Sequence, residues 1–420
     1  MLNINNVLKN NYHILINILL ILSIYIGFFL GENITQGPKM DFEHALNQVN
    51  FFKYNFSYTF FNYDEISNST RISPIFTSTL YFVNEVTNNL DLTRFILLNI
   101  LLLNQIFFYK CLKISSVKLS FDKKILLVLS SIIYLSPSFR ANIIWPESAM
   151  LGLLFFLISL YYFIKFTKLH KIKYIVYNIL FLAIASYVRP SYCLFSIYFF
   201  FKFFSILYSH DKLLIKLSLI VILNIILSIP AFYYVFVLDV FFIKDGGLSN
   251  NYFNKVSIIT SIIFFHLLPI LYLYKANFNF NFKKDLNFIF ISLISLILIV
   301  YNFNYDLNLS GGGIILHVSN LILDNNVFFY IFYSISAFFI LKTIFLDKLN
   351  NFLLILILIM ITPQYHIFHK YYDPLIIILA MTLFNFQELK NFVKKINFIL
   401  IIYGFYISLN LAHLINKYLV

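Results

Sequence analysis

Acidic residues are scarce in this chain: 18 Asp and Glu in 420 residues, against 31 Lys and Arg. Charged residues of both signs make up only 12%, while 60% of residues are hydrophobic. Soluble domains are roughly a quarter charged, so a water-soluble globular fold is excluded. Cysteine is nearly missing. Cys111 and Cys193 are the only two, both in or beside apolar runs, which excludes a disulfide framework and a cysteine metal site. There is no internal repeat and no nucleotide loop. The one glycine run, SGGGIILH at 310–317, carries no Lys-Ser/Thr signature and follows no strand. It reads as a flexible or anion-binding turn. The centres of the apolar runs hold few ionisable groups, where a proton pump or ion-coupled transporter needs them.

What is present is a succession of long apolar runs without the strict alternation of a barrel strand. That pattern predicts an all-α, polytopic transmembrane protein. The first run, His13 to Leu30, makes about 27 Å of helix and has no small-residue cleavage site, so it reads as a retained span. Further spans are expected at 94–112, 125–139, 149–165, 174–189, 191–208, 213–237, 256–274, 286–303, 327–345, 352–364, 373–386 and 396–414. Some of these are short, which sets the expectation at about 11 to 13 spans in a single membrane domain over 1–420. The net charge of +13 is not a nucleic-acid signature. The lysines gather in short loops at 110–124, 165–173, 275–284 and 390–395, and the opposite loops are poor in them. The lysine-rich side is expected to face the cytoplasm, with the N-terminus inside. Four Asn-x-Ser/Thr triplets, at Asn33, Asn55, Asn68 and Asn308, read as chance matches in so Asn-rich a chain.

The first outer loop, 31–93, is the longest. Phe42, Ala45, Leu46, Val49 and Phe52 follow helical spacing, predicting an amphipathic interfacial helix over 38–53 with Pro38 in its first turn. A second such helix is expected from Ser73, in SPIFTSTLYFVNEV. The first helix carries MDFEHAL, with Asp41, Glu43 and His44. Asp41 lies about 80° from the centre of the apolar stripe, a position that can point into a cleft. Glu43 leaves the helix about 200° from it. Asp41 is therefore the favoured carboxylate and Glu43 the second, as general base toward an acceptor hydroxyl or as ligand of a divalent cation. The bland reading is a solvated face whose acids favour the helix N-terminus.

The other polar candidates lie at outer turns. Arg71 in STRISPIF offers bidentate bonds to phosphate, or binds lipid headgroups. The turn SPSFRANIIWPES holds Arg140, Trp145 and Glu147. Against a substrate role stand an interface anchor for Trp145 and a helix cap for Glu147. Arg189 ends a span, where it snorkels or reaches a ligand. The turn PQYHIFHKYYDP holds His366, His369, Lys370 and Tyr371. Lys370 suits a phosphate and the tyrosine faces suit a sugar, against an aromatic belt as the alternative. His366 and His369, three residues apart, also fit metal ligation, but no third ligand is evident.

MDFEHAL after a first span, RISPIF opening a second interfacial helix, the IIWPES turn and the many later spans together resemble the C-type integral-membrane glycosyltransferases. These enzymes use polyprenyl-phosphate sugar donors. The resemblance is best over 13–210. It implies a multi-pass enzyme, in a bacterial inner membrane, moving a hexose or pentose to a lipid-linked or surface-glycan acceptor at the outer face. It assigns the essential acid of the first outer loop to Asp41, with Glu43 as second choice. Phe42 stands between them, where many members have adjacent Asp-Glu. Asp41, Arg71 and the 366–372 turn are then expected to line one cavity. Two rivals are weighed. A surface-polysaccharide polymerase or ligase leans on late-loop arginines, which the late outer loops lack. A transporter or flippase needs midplane polar groups, for which Asn99, Asn104, Gln105 and Asn224 are the candidates.

Overall fold

The computed structural model describes residues 4–35, 37–63, 72–115, 122–208, 213–240, 251–273, 282–307, 311–386 and 396–419. Every regular element among them is a helix. The chain divides into two compact units, one of Met1–Asp245 with Tyr403–Val420, the other of Gly246–Ile402. Unit one opens with α1 (Ile4–Phe29), followed by α2 (Gly37–Tyr54), α3 (Phe56–Phe61) and α4 (Pro74–Thr87). It continues with α5 (Leu90–Ser115), α6 (Lys123–Ser130), α7 (Pro137–Ile144), α8 (Ser148–Leu169), α9 (Ile172–Val188), α10 (Phe195–Leu207) and α11 (Leu213–Phe232). Unit two holds α12 (Tyr252–Leu273), α13 (Phe282–Asn302), α14 (Gly313–Leu323), α15 (Val327–Leu346), α16 (Lys348–Met360) and α17 (Leu375–Thr382). The last helix, α18 (Ile396–Leu419), belongs to unit one from Tyr403 onward.

Nine of the described helical stretches are long and apolar enough to cross a membrane; they lie in α1, α5, α8, α10, α11, α12, α13, α15 and α18. The protein is a multi-pass membrane protein. The helices α6 and α7 make a tenth span if they are counted together, but they meet at a 70° bend. The shortfall against the expected count lies in the short runs. Pro137 cannot continue the preceding helix because it lacks an N–H, and Ser136 caps α7 instead, accepting from Phe139 N at 3.0 Å. The runs at 352–364 and 373–386 yield only 13 residues in α16 and 8 in α17. Pro363 and Pro374 bound the non-α-helical stretch between them.

Unit one packs around α8, whose side chains are buried over most of its length between α5 and α9. Unit two packs around α12, which touches all five of its other helices. Within the spans, polar side chains tie helices together, because lipid offers them no partner. Asn178 donates to Ser159 Oγ at 2.8 Å and Ser159 Oγ returns a bond to Asn178 O at 2.9 Å, joining α8 to α9. The midplane candidates serve the same end: Tyr25 donates to Asn99 at 2.6 Å, Asn104 to Met150 O at 3.3 Å and Gln105 to Ser130 Oγ at 2.7 Å. Asn224 bonds back to Ile220 O of its own helix at 2.8 Å.

The two loop helices form where the spacing places them. The buried face of α2 is Pro38, Phe42, Ala45, Gln48, Val49 and Phe52. The other helix, α4, begins at Pro74 with Ser73 as N-cap, accepting from Ile75 N at 3.2 Å. The short α3 lies between them and has no counterpart in the sequence reading. A buried knot holds the loop together. Tyr63 Oη lies 2.5 Å from Gln48 Oε1 and 2.9 Å from Thr77 Oγ1, which locks α2 to α4.

Candidate functional site

The loop that follows α1 is anchored at its start by an ion pair that crosses the end of α1. Glu32 follows the helix by three residues. Arg140 of α7 grips it bidentately, Nε to Oε1 at 2.5 Å and Nη2 to Oε2 at 2.7 Å. The same guanidinium donates to Ser23 Oγ at 2.8 Å and Ser23 O at 2.5 Å. Bidentate pairing fixes direction as well as distance. Arg140 is thus held by a carboxylate and two oxygens of α1, and the turn between α1 and α2 is fixed to α7.

A second arginine lies beside the first. Arg94, in the first turns of α5, is buried. Its guanidinium lies 3.7 Å from the Trp145 ring centre, 4.9 Å from Phe28 and 5.9 Å from Phe42. It donates to Asp91 Oδ1 at 3.2 Å and to Ile144 O at 3.2 Å. Trp145 in turn donates from Nε1 to Glu32 O at 2.9 Å. The chain's only tryptophan therefore joins the Glu32 turn, α5 and the Phe42 face of α2.

The acidic helix rests on this junction through Phe42, which is fully buried against Trp145 with ring centres 6.0 Å apart. Asp41, one position earlier, is half-buried. Glu43 is exposed and pairs loosely with Lys39 at 3.9 Å, and His44 is exposed. Of the two acids, Asp41 is the one set at the edge of the packed face. Glu147 is buried at the N-cap position of α8, and its side chain does not close that cap. Arg189 ends α9 in extended backbone. Ser73 Oγ donates to Tyr187 O at 2.5 Å, so the start of α4 lies within two residues of Arg189. Arg71 falls outside the described residues.

In unit two the late turn is built on aromatic contacts. Lys370 Nζ lies 5.5 Å from the Phe368 ring centre and 5.8 Å from that of Tyr371. His366 stacks on Phe368 at 6.0 Å. His369 Nε2 faces His266 Nε2 of α12 at 2.7 Å, which requires a single proton between the two rings. The Tyr305 ring stacks on Tyr365 at 5.4 Å. Burial raises the Tyr305 hydroxyl pKa, with the bond from the Ile367 backbone opposing it. Burial raises Tyr372 too, against its bond to Thr362 at 2.9 Å. Both phenols stay protonated. Among the described residues, no group of three or more His, Cys, Asp or Glu is placed to hold a metal ion.

No protein-family model, curated protein or solved structure matches this chain. The site rests on its own geometry. Arg140, Trp145 and the Asp41 helix are brought together in unit one, with Glu147 two residues along the chain from Trp145. The late turn belongs to the other unit. Sequence reasoning passed over Glu32, Arg94 and His266. The signal for the first two was an acid directly after a span and an arginine directly inside one. Neither position is comfortable in lipid without a partner.

Proposed function

We propose that this chain is a membrane glycosyltransferase that moves a sugar from a polyprenyl-phosphate donor to a lipid-linked or surface-glycan acceptor. In this reading it works at the outer face of a bacterial inner membrane, with its N-terminus in the cytoplasm. The observation that carries the reading is the half-buried Asp41 on a loop helix held rigidly by the Glu32–Arg140 pair and the Trp145 stack. A general base must be held within hydrogen-bond reach of its proton, and a helix pinned at its first two turns provides that constancy. Asp41 would take the proton of the acceptor hydroxyl as the sugar's bond to phosphate breaks. Arg71 and Arg189 would hold the leaving phosphate as its charge develops.

The test is transfer of radiolabelled sugar from a polyprenyl-phosphate donor in membranes holding equal amounts of each variant. Asp41→Asn keeps shape and removes basicity, and transfer should fall by about two to four orders of magnitude, the span of general base catalysis. Glu43→Gln should have a milder effect, since its side chain points to solvent and Lys39. Near-normal transfer by Asp41→Asn would refute the assignment. One observation favours a second reading, a transporter or flippase: the half-length helices α14, α16 and α17 of unit two, since broken helices frame many transport sites. Substrate counterflow in proteoliposomes, without any covalent product, would support it over transfer.

A further inference from the structure

The stretch from 363 to 374 reads in sequence as an outer turn, but two contacts place it deeper. Lys255 Nζ donates to Pro363 O at 2.7 Å, and His369 Nε2 lies 2.7 Å from His266 Nε2. Lys255 and His266 both belong to α12. They are eleven residues apart, so they share one face of the helix within about 20° and stand about 16 Å apart along its axis. Residues 363–369 therefore run beside α12 from its first turn to its middle. The span in α12 is Tyr252–Tyr272, and His266 lies past its midpoint.

The glycine run meets the same level from the other side. Gly312 N donates to Ile367 O at 2.9 Å. A Cβ on Gly311 would come within 2.9 Å of Ile367 O, and one on Gly313 within 3.1 Å of Ile262. Ile262 is the midpoint of the span. A small crevice here is lined by Ser261, Phe265, Gly312, Gly313 and His369. Non-helical backbone thus reaches the middle of a membrane span from two places. The hydrocarbon core tolerates such backbone only where protein buries it or where it lines water. Protein does not fully bury it: Tyr365, His366, Phe368, His369, Lys370 and Tyr371 all remain partly exposed. Three of these carry groups that lipid does not solvate.

We infer that the 363–371 segment is re-entrant and lines a water-filled recess, open at the N-terminal end of α12, that takes a small hydrophilic group rather than a lipid chain. This goes beyond the transfer reading, since the recess belongs to unit two and the Asp41 helix to unit one. The test needs no transfer, so the two readings fail separately.

The test is thiol accessibility in a Cys193→Ser background; the remaining native thiol, Cys111, is buried. Single cysteines replace His366, Lys370 and Ser261, with Asn304→Cys as an exposed loop control and Leu298→Cys as an exposed apolar position on α13. Intact cells are treated with a charged, membrane-impermeant methanethiosulfonate, and the remaining free thiol is read by gel shift with a maleimide-polyethylene glycol. The expected result is loss of the shift at 366, 370 and 304, and retention at the buried position 261 and at 298. Positions 366 and 370 behaving like 298 would place the segment in lipid or sealed protein and overturn the inference. Each variant is first shown to run as a single species in detergent.

Discussion

Gly27 bears no side chain, and the reason is the ion pair that crosses it. A Cβ there would lie 2.2 Å from Glu32 Oε2 and 2.9 Å from Arg140 Nη2. Gly27→Ala should therefore force the carboxylate and guanidinium apart, even though alanine favours a helix over glycine by about 1 kcal/mol. Arg140→Leu should cost about 3 kcal/mol, because it strands a mostly buried carboxylate. Adding Glu32→Gln should recover part of that loss, since no charge is then left unpaired. The readout is thermal unfolding of detergent-purified protein by fluorescence-detected size exclusion. If Gly27→Ala unfolds with the parent, the pair does not cross the helix as described.

At the scale of elements, the sequence resolved what periodicity controls and missed what chain breaks control. The loop helices α2 and α4 were legible because a stripe of apolar residues and a Ser-Pro start are local signals. The bend between α6 and α7, the eight-residue α17 and the re-entrant course of 363–371 were not. The bend arises where Pro137 interrupts an apolar run that hydropathy alone reads as one span, and the other two lie where packing against α12, not local composition, sets the course of the chain. The glycine run reads by composition as a flexible or anion-binding turn, and its packing was not legible there: a Cβ on Gly311, at φ +109°, would meet Tyr305 and Ile367. Of the candidate site, Asp41, Arg140 and Trp145 were visible as polar residues at outer turns. Their tie to Glu32 and Arg94 depends on packing between helices far apart in sequence. The glycine reading has a direct check. Gly311→Ala combines a left-handed backbone with a Cβ 2.7 Å from Tyr305 Oη, so it should cost about 1–3 kcal/mol or more. If it proves neutral in the same unfolding assay, the close packing of the turn on Tyr305 is refuted.

For the whole molecule, the open quantity is direction across the membrane. The lysine distribution predicts that a reporter fused after Lys124 reports cytoplasm, and one inserted beside Asn68 reports the opposite side. A single candidate crossing, α5, lies between those points among the described residues, which makes the two readouts complementary. A cytoplasmic signal at Asn68 would remove the acidic helix from the face where a polyprenyl-linked sugar is proposed to be used. Membrane-integrated reporter fusions in both positions settle this without any knowledge of the substrate.

The Trp145 stack also has an optical consequence. The chain has 31 tyrosines but a single tryptophan, so emission excited at the red edge, beyond tyrosine absorption, comes from one address. That address touches Arg94, Phe42 and the Glu32 backbone together. The protein therefore carries a built-in, label-free reporter of the ground beneath the Asp41 helix. Arg94→Met should shift its emission maximum, whereas Gly311→Ala, in the other unit, should leave it unchanged. A ligand that engages Asp41 and moves its helix should register as a concentration-dependent change in colour before any product can be measured.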